Sequence, residues 1–236
     1  MIAERRGDVL ELWFDRPERL NALDTSTVDA LHAALAGPGD AKALLIAGHG
    51  RAFSAGFDLK QGEVDAAAQI ARMQDLTRVL RALPIPSVAV LHGHAVGGGL
   101  ELALACDLVV AAPEAKLVFP DVHHNFAVGG GATYLLPRLI GLARTRRLLL
   151  LGEPMSGADA YAAGLVAALA DDALAEGRAL ADKLAATPPG GLRMIRDAID
   201  AGLSGTLDAA LDQERDDCIA SYYSAAGQAS VAAFSR

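Results

Sequence analysis

The sequence predicts an α/β fold, in which a core of alternating strands and helices is followed by a helical C-terminal part. Three observations lead there. Up to about residue 130, short apolar runs of strand character alternate with segments of helical periodicity. Beyond that point the apolar repeats have helical spacing. Of the 236 residues, 52% are hydrophobic and 21% charged, which supplies ample core. Aromatics make up only 5%, so Ala, Leu and Val must fill the interior.

The elements follow in order. Residues 7–15 carry Val9, Leu10, Leu12, Trp13 and Phe14, a strand-like run that Arg16-Pro17 ends. Asp24-Thr25-Ser26 can cap a helix through Val28, Leu31 and Leu35, and Gly37-Pro38-Gly39 stops it. Residues 43–47 read as a short buried strand. The spacing of Ile70, Met73, Leu76, Val79, Leu80 and Leu83 predicts a helix over 64–83, ended by Pro84 and Pro86. A buried strand over 87–91 leads through a glycine turn to a helix over 98–106. Residues 108–111 and 116–119 are further strand candidates. Helices are predicted over 132–140, 144–151, 157–163, 172–186, 191–201 and 207–224. Thr187-Pro188-Pro189-Gly190-Gly191 reads as a linker, dividing the chain into a core over 1–186 and a helical part over 187–236.

Composition excludes several function classes. The net charge of −8 offers no electrostatic footprint for nucleic acid or an anionic membrane. Cys106 and Cys218 lie far apart with no metal-ligand spacing, and are expected to be reduced thiols in a cytoplasm. The N-terminus lacks the apolar run of a signal peptide. Residues 87–112 are apolar and long enough to span a bilayer, but burying Glu101 and Asp107 in lipid would be costly. Two soluble elements joined by a glycine turn are the better reading. His92 and His94 with His123 and His124 show no accompanying carboxylate pattern, so no metal is expected.

The most informative segment runs from Gly93 to Ala103 and contains Gly97-Gly98-Gly99-Leu100-Glu101. Three glycines open an apolar helix directly after a strand. Glycine lets another group approach the backbone closely. The first N–H groups of a helix have no internal partner and sit at its positive end, a ready place for a developing anion. Gly98 and Glu101, three apart, share a helix face, so one segment aims an N–H donor and a carboxylate at one point. The plainer alternative is a packing turn with Glu101 in solvent. Phosphate-loop and dinucleotide patterns fail here, and Ser54, within Ala52–Gly56, lacks the first glycine of a serine-hydrolase elbow. A second glycine-flexed turn, from Gly50 to Lys60, follows the strand over 43–47 and by itself is only a loop.

Three stretches in this order resemble the crotonase, or enoyl-CoA hydratase/isomerase, superfamily. They are the stretch from Asp15 to Leu23 (DRPERLNAL), the loop from Ala52 to Lys60 (AFSAGFDLK) and the run from Gly93 to Asp107. The spacing from Phe119-Pro120-Asp121 to Gly129-Gly130-Gly131 also fits, and the likeness extends over nearly the whole chain. The resemblance implies a spiral of ββα units with a helical C-terminal part, assembled as trimers or paired trimers. It implies that Phe57 and Gly98 donate backbone N–H groups to a thioester oxygen. It places Glu101 and Asp121 where hydratases carry their two catalytic carboxylates, and Gly129 where a backbone group helps place substrate or water. It implies that Arg19, Leu20, Ala22, Ala55, Asp58, Leu59 and Lys60 line the path of coenzyme A, which is part of the substrate rather than a cofactor.

The implied chemistry is hydration of a 2-enoyl-CoA through a stabilised enolate, with the carboxylates as acid and base. One departure bears on it. The second carboxylate is usually glutamate, and Asp121 is one methylene shorter. A double-bond isomerase working mainly through Asp121 is therefore an alternative, and a non-catalytic acyl-CoA-binding subunit is another. Val122-His123-His124-Asn125-Phe126 also departs from the small apolar run usual there. His123 and His124 could add an acid–base group, although a surface or pocket-wall pair is the simpler reading. Arg144, Arg146 and Arg147 are expected on a solvated helix face or in ion pairs with acidic C-terminal residues.

Overall fold

The computed structural model describes residues 1–62 and 65–234, with the backbone alone for Phe234. Val64, the first residue of one expected helix, and Arg236 lie outside the described residues. Contacts divide the chain into two compact units, Met1–Ala185 and Ala186–Arg236.

The first unit is built on two sheets. A six-stranded sheet has the order β1 (Ile2–Arg6), β2 (Val9–Phe14), β3 (Ala43–Gly48), β4 (Ser87–Leu91), β6 (Leu108–Ala111), β9 (Ala168–Leu169). Only β1 and β2 pair antiparallel; every later neighbour is parallel. A three-stranded sheet has the order β5 (His94–Val96), β7 (Lys116–Val118), β8 (Met155–Ser156). The chain winds between them. β4 joins the large sheet, β5 the small one, and helix α3 (Gly98–Ala105) follows. β6, β7 and helix α4 (Ala132–Leu151) repeat the step. The preceding turn matches it loosely: after β3 the chain bridges from Ser54 to Ala95 of β5, then enters helix α2 (Ala66–Arg81). This is the expected ββα spiral.

Local chemistry explains the elements. β2, β3 and β4 are buried along their whole length, as central strands covered on both faces must be. The one charged residue among them, Glu11, is 1% exposed and clamped by Arg6 (2.6 Å) and by both nitrogens of Arg178 that face it (2.9 and 2.7 Å). Burial pushes its carboxyl up, but the bonds from Arg178 and Arg6 outweigh that and hold it below the usual range. Helix α1 (Thr25–Ala36) is capped by Asp24, whose carboxylate accepts the Thr27 N–H, and buries Val28, Leu31 and Leu35. α2 is capped in the same way by Asp65. α3 is buried on every face, consistent with its all-apolar sequence apart from Glu101. The helices expected over 132–140 and 144–151 form one element, but Gly141 at φ 77° breaks it where the break was expected. Helices α5 (Gly157–Ala163) and α6 (Ala173–Ala186) complete the unit. Arg147 pairs with Glu153 at 3.3 Å.

The second unit contains helices α7 (Pro189–Gly202), α8 (Leu207–Tyr223) and α9 (Ala225–Phe234). Pro189 opens α7, so part of the expected linker is the first turn of a helix, a position where proline's missing N–H costs nothing. No helix among the described residues is long and apolar enough to cross a membrane.

Candidate active site

The site begins with a buried asparagine. After β2 the chain makes a 3-10 turn over Pro17–Arg19, then Leu20 and Asn21 adopt left-handed backbone at φ 51° and 56°. Asn21 is 1% exposed. Its Nδ2 donates to the carbonyls of His49 (2.9 Å) and Ala52 (2.7 Å), and its Oδ1 accepts the Arg16 N–H (2.9 Å). Arg16 reaches the other way. Its guanidinium donates to Ala22 O (2.9 Å) and pairs with Asp24 and Asp58, each at 3.0 Å. These two side chains tie the stretch over 16–24 to the loop over 52–60.

That loop is then laced to the same stretch by backbone bonds. Ala55 N–H donates to Leu20 O, Leu23 N–H to Gly56 O and Asp58 N–H to Leu23 O, at 2.9, 2.7 and 3.1 Å. Ser54 Oγ donates to Asn21 O and accepts the Gly56 N–H. Phe57 sits inside this lacing, yet its own N–H donates to no described residue. Gly56 has φ 78°, and a Cβ there would lie 2.6 Å from Val96 O and 3.4 Å from Gly98 N. Only glycine allows this backbone conformation so close to β5 and to the start of α3.

The second donor arises where β5 meets α3. Gly97 turns the chain at φ 47°, and its N–H is used by Val118 O at 2.9 Å. Gly98 opens the helix, and its N–H likewise donates to no described residue, as the first turn of a helix dictates. The Phe57 ring and the Met73 methyl close over Gly98, at 3.3 and 3.5 Å from the position a Cβ would take. Two unpartnered amides thus lie on neighbouring segments held at contact distance.

Glu101 lies one turn further along α3 and is 2% exposed. Its Oε1 accepts the Ala132 N–H at 3.2 Å, with the Gly130 and Gly129 amides also turned toward the carboxylate. A Cβ on Gly130 would stand 2.8 Å from Oε2, so the glycine run gives Glu101 its room. Burial raises its carboxyl above the usual range, and the field of Asp121 adds to that against the opposing amide bonds. Asp121 sits on a 3-10 turn, Pro120–His124, that follows β7. Its Oδ2 is buried with no protein partner and would lie 3.7 Å from a Cβ on Gly97, the residue before the second donor. The structure therefore brings Phe57, Gly98, Glu101 and Asp121 to one place, with Gly129 at the amide run facing Glu101.

The remaining expected residues divide. Arg19, Leu59 and Lys60 are exposed, Leu59 at 72%; Leu20 and Ala55 are half-buried and Ala22 is buried. Asp58 differs from its neighbours on that loop. Its side chain is buried, pairs with Arg16 and accepts the Lys60 N–H at 3.0 Å, so it holds the loop from inside. His123 is exposed and packs over Gly152 at the end of α4, and His124 is also exposed. His92 Nε2 lies 3.0 Å from Gly50 O. Among the described residues no three His, Cys, Asp or Glu side chains are grouped to share a metal ion. Sequence reasoning gave Arg16, Asn21, Ser54 and Met73 no part in the site. The available signal was Asn21 itself, a residue type that tolerates left-handed backbone, next to a proline turn.

Comparison with known proteins gives a consistent result. A family profile described as enoyl-CoA hydratase/isomerase matches residues 4–235. The 1,2-epoxyphenylacetyl-CoA isomerase of Escherichia coli is 37% identical over 225 residues, covering 88% of this chain and 84% of that protein. The Mycobacterium bovis protein named "Probable enoyl-CoA hydratase echA8" is 33% identical over 223 residues, covering 91% and 86%. The crystal structure of enoyl-CoA hydratase from Thermoplasma volcanium superposes with a TM-score of 0.92 at 28% identity, covering 98% of this chain and 95% of that one.

Proposed function

Given that the chain belongs to the enoyl-CoA hydratase/isomerase family, we propose that it hydrates a 2-enoyl-CoA thioester through an enolate held by the Phe57 and Gly98 amides. The observation that supports this reading is the pair of unpartnered N–H groups. The amides of Ala55, Gly56, Asp58 and Gly97 are all bonded within the protein, and these two are left over beside two carboxyl groups. An enolate next to a thioester is unstable in water. Fixed donors aimed at the oxygen stabilise charge where it develops, each worth roughly 3 kcal/mol by comparison with other oxyanion holes. A water between Glu101 and Asp121 loses a proton to one of them as its oxygen bonds to Cβ, and the pair returns a proton to Cα. That shared proton belongs to the pair rather than to either group. Metal or redox chemistry has no part in these steps, and coenzyme A enters as part of the substrate. Arg19, Leu59 and Lys60, exposed on the loops leading to the donors, would meet it. Assembly into trimers or paired trimers is part of the same proposal.

A specific observation favours a second reading. Glu101 is engaged by backbone amides, whereas the buried Oδ2 of Asp121 has no protein partner. One free carboxylate suffices to move a proton between carbons without adding water, as an isomerase requires, and one of the relatives is named an isomerase. Incubation with 2-enoyl- and 3-enoyl-CoA substrates in ¹⁸O-labelled water separates the cases. Labelled 3-hydroxyacyl-CoA supports hydration, double-bond migration without label supports isomerisation, and tight binding without turnover supports a carrier subunit.

A further inference from the structure

The amide run that holds Glu101 consists of Gly129, Gly130 and Gly131. Three consecutive glycines have more backbone freedom to lose than any other tripeptide, and none has a side chain to anchor it. Yet the Glu101 carboxylate depends on this segment: it accepts the Ala132 N–H at 3.2 Å, and Gly130 must remain where a Cβ would touch Oε2. The structure supplies an anchor from a different element. Thr77, on α2, donates from Oγ1 to the Gly130 carbonyl at 2.7 Å. Its alternative acceptor, Met73 O in the preceding helical turn, is further away at 3.4 Å. The Thr77 methyl carbon also lies 3.6 Å from a Cβ position on Gly131. Ile70, two helical turns before Thr77, lies 3.6 Å from the corresponding position on Gly129. One face of α2 therefore meets all three glycines, and it fixes the central one by a hydrogen bond.

We propose that Thr77 is a positioning residue for the reaction: its hydroxyl pins Gly130 so that the start of α4 presents its amides to the Glu101 carboxylate in a fixed place. The inference rests on the reading of Glu101 as a member of the acid–base pair. Thr77 acts through Glu101 and has no role toward the substrate itself. Without the bond, the glycine run wanders and the carboxylate loses part of its amide shell. The ionised form is then held less well, so Glu101 keeps its proton to higher pH. The charged group facing Glu101 among the described residues is Asp121, and the Thr77 substitution leaves it in place.

The test compares Thr77→Val, which keeps shape and loses the hydroxyl, with Thr77→Ser, which keeps the hydroxyl. Thr77→Val is expected to lower kcat roughly five- to tenfold, the loss of one neutral hydrogen bond at a reacting group. KM stays within about twofold, because the change touches the reaction step and not uniform binding. The kcat–pH profile moves to higher pH, and Thr77→Ser returns both kcat and profile toward the parent. If Thr77→Val is poorly folded, Thr77→Ala carries the same comparison. Glu101→Gln is measured beside them. If Glu101→Gln is inactive while Thr77→Val has parental kcat and profile, or changes KM alone, the positioning role is overturned and the acid–base reading stands. If Glu101→Gln is fully active, the acid–base reading itself fails.

Discussion

Replacing Gly56 by alanine should disable the oxyanion site without unfolding the protein. The backbone at Gly56 has φ 78°, a conformation that costs an L-residue on the order of 1–2 kcal/mol. The larger effect is steric. The new Cβ would stand 2.6 Å from Val96 O. That oxygen belongs to β5, which pairs with β7 over Val96 and Val118 and whose Val96 N–H donates to Ser54 O at 2.9 Å. The strand does not give way easily, so the loop must, and the next peptide carries the Phe57 N–H. A misplacement of about 1 Å costs on the order of 10²-fold, and loss of one oxyanion donor 10²- to 10³-fold, so kcat should fall in that range. Gly39→Ala is the control: it has φ 63° with nothing within 4 Å of a Cβ, so it carries the conformational cost without the collision. Initial rates with a short 2-enoyl-CoA, thermal melting and calorimetric binding of an unreactive CoA thioester would be measured on both variants. A folded Gly56→Ala protein whose kcat lies within about threefold of the parent would show that the Phe57 donor is dispensable, against the oxyanion role.

Other outcomes follow from the same geometry. Asp121→Asn removes the unpartnered carboxylate while preserving shape, and should reduce turnover by about 10²- to 10⁴-fold, read from steady-state kinetics with thioester binding retained. Glu101→Gln should raise Tm at neutral pH. A buried carboxyl whose folded pKa is raised contributes stability that is complete below its unfolded pKa and lost as pH rises through the folded one. The gain should therefore shrink as pH falls below the ordinary glutamate range, which melting curves across pH would show. Cys106 is buried and its thiol is pushed up to about 12, chiefly by burial, whereas Cys218 is exposed. An alkylating reagent at neutral pH should label Cys218 alone and leave turnover unchanged, as peptide mapping and rates would establish.

The turn before α3 was legible because its signal is local, whereas the loop over 50–60 gained a role only through the family resemblance. Glycines that follow a buried strand mark either a packing turn or an open helix start, and Gly97 and Gly98 stand at the start of α3 as that pattern put them. The break at Gly141 was legible for the same reason. Three short strands were not. β5, β8 and β9 have three, two and two residues, and only register with partners far along the chain makes them strands. Asp58 shows what a loop sequence hides: nothing local tells whether a carboxylate points outward to a ligand or inward to Arg16. Thr77 is the same case on a helix, where it reads as a surface residue until α2 is packed against the glycine run.

A crystal structure with a bound, unreactive CoA thioester would show whether the two amides share one oxygen. The thioester oxygen is expected at about 2.7–3.1 Å from both the Phe57 and Gly98 nitrogens, with Glu101 and Asp121 flanking the α and β carbons. A thioester seated elsewhere, or either amide bonded to another protein group in the complex, would contradict that expectation.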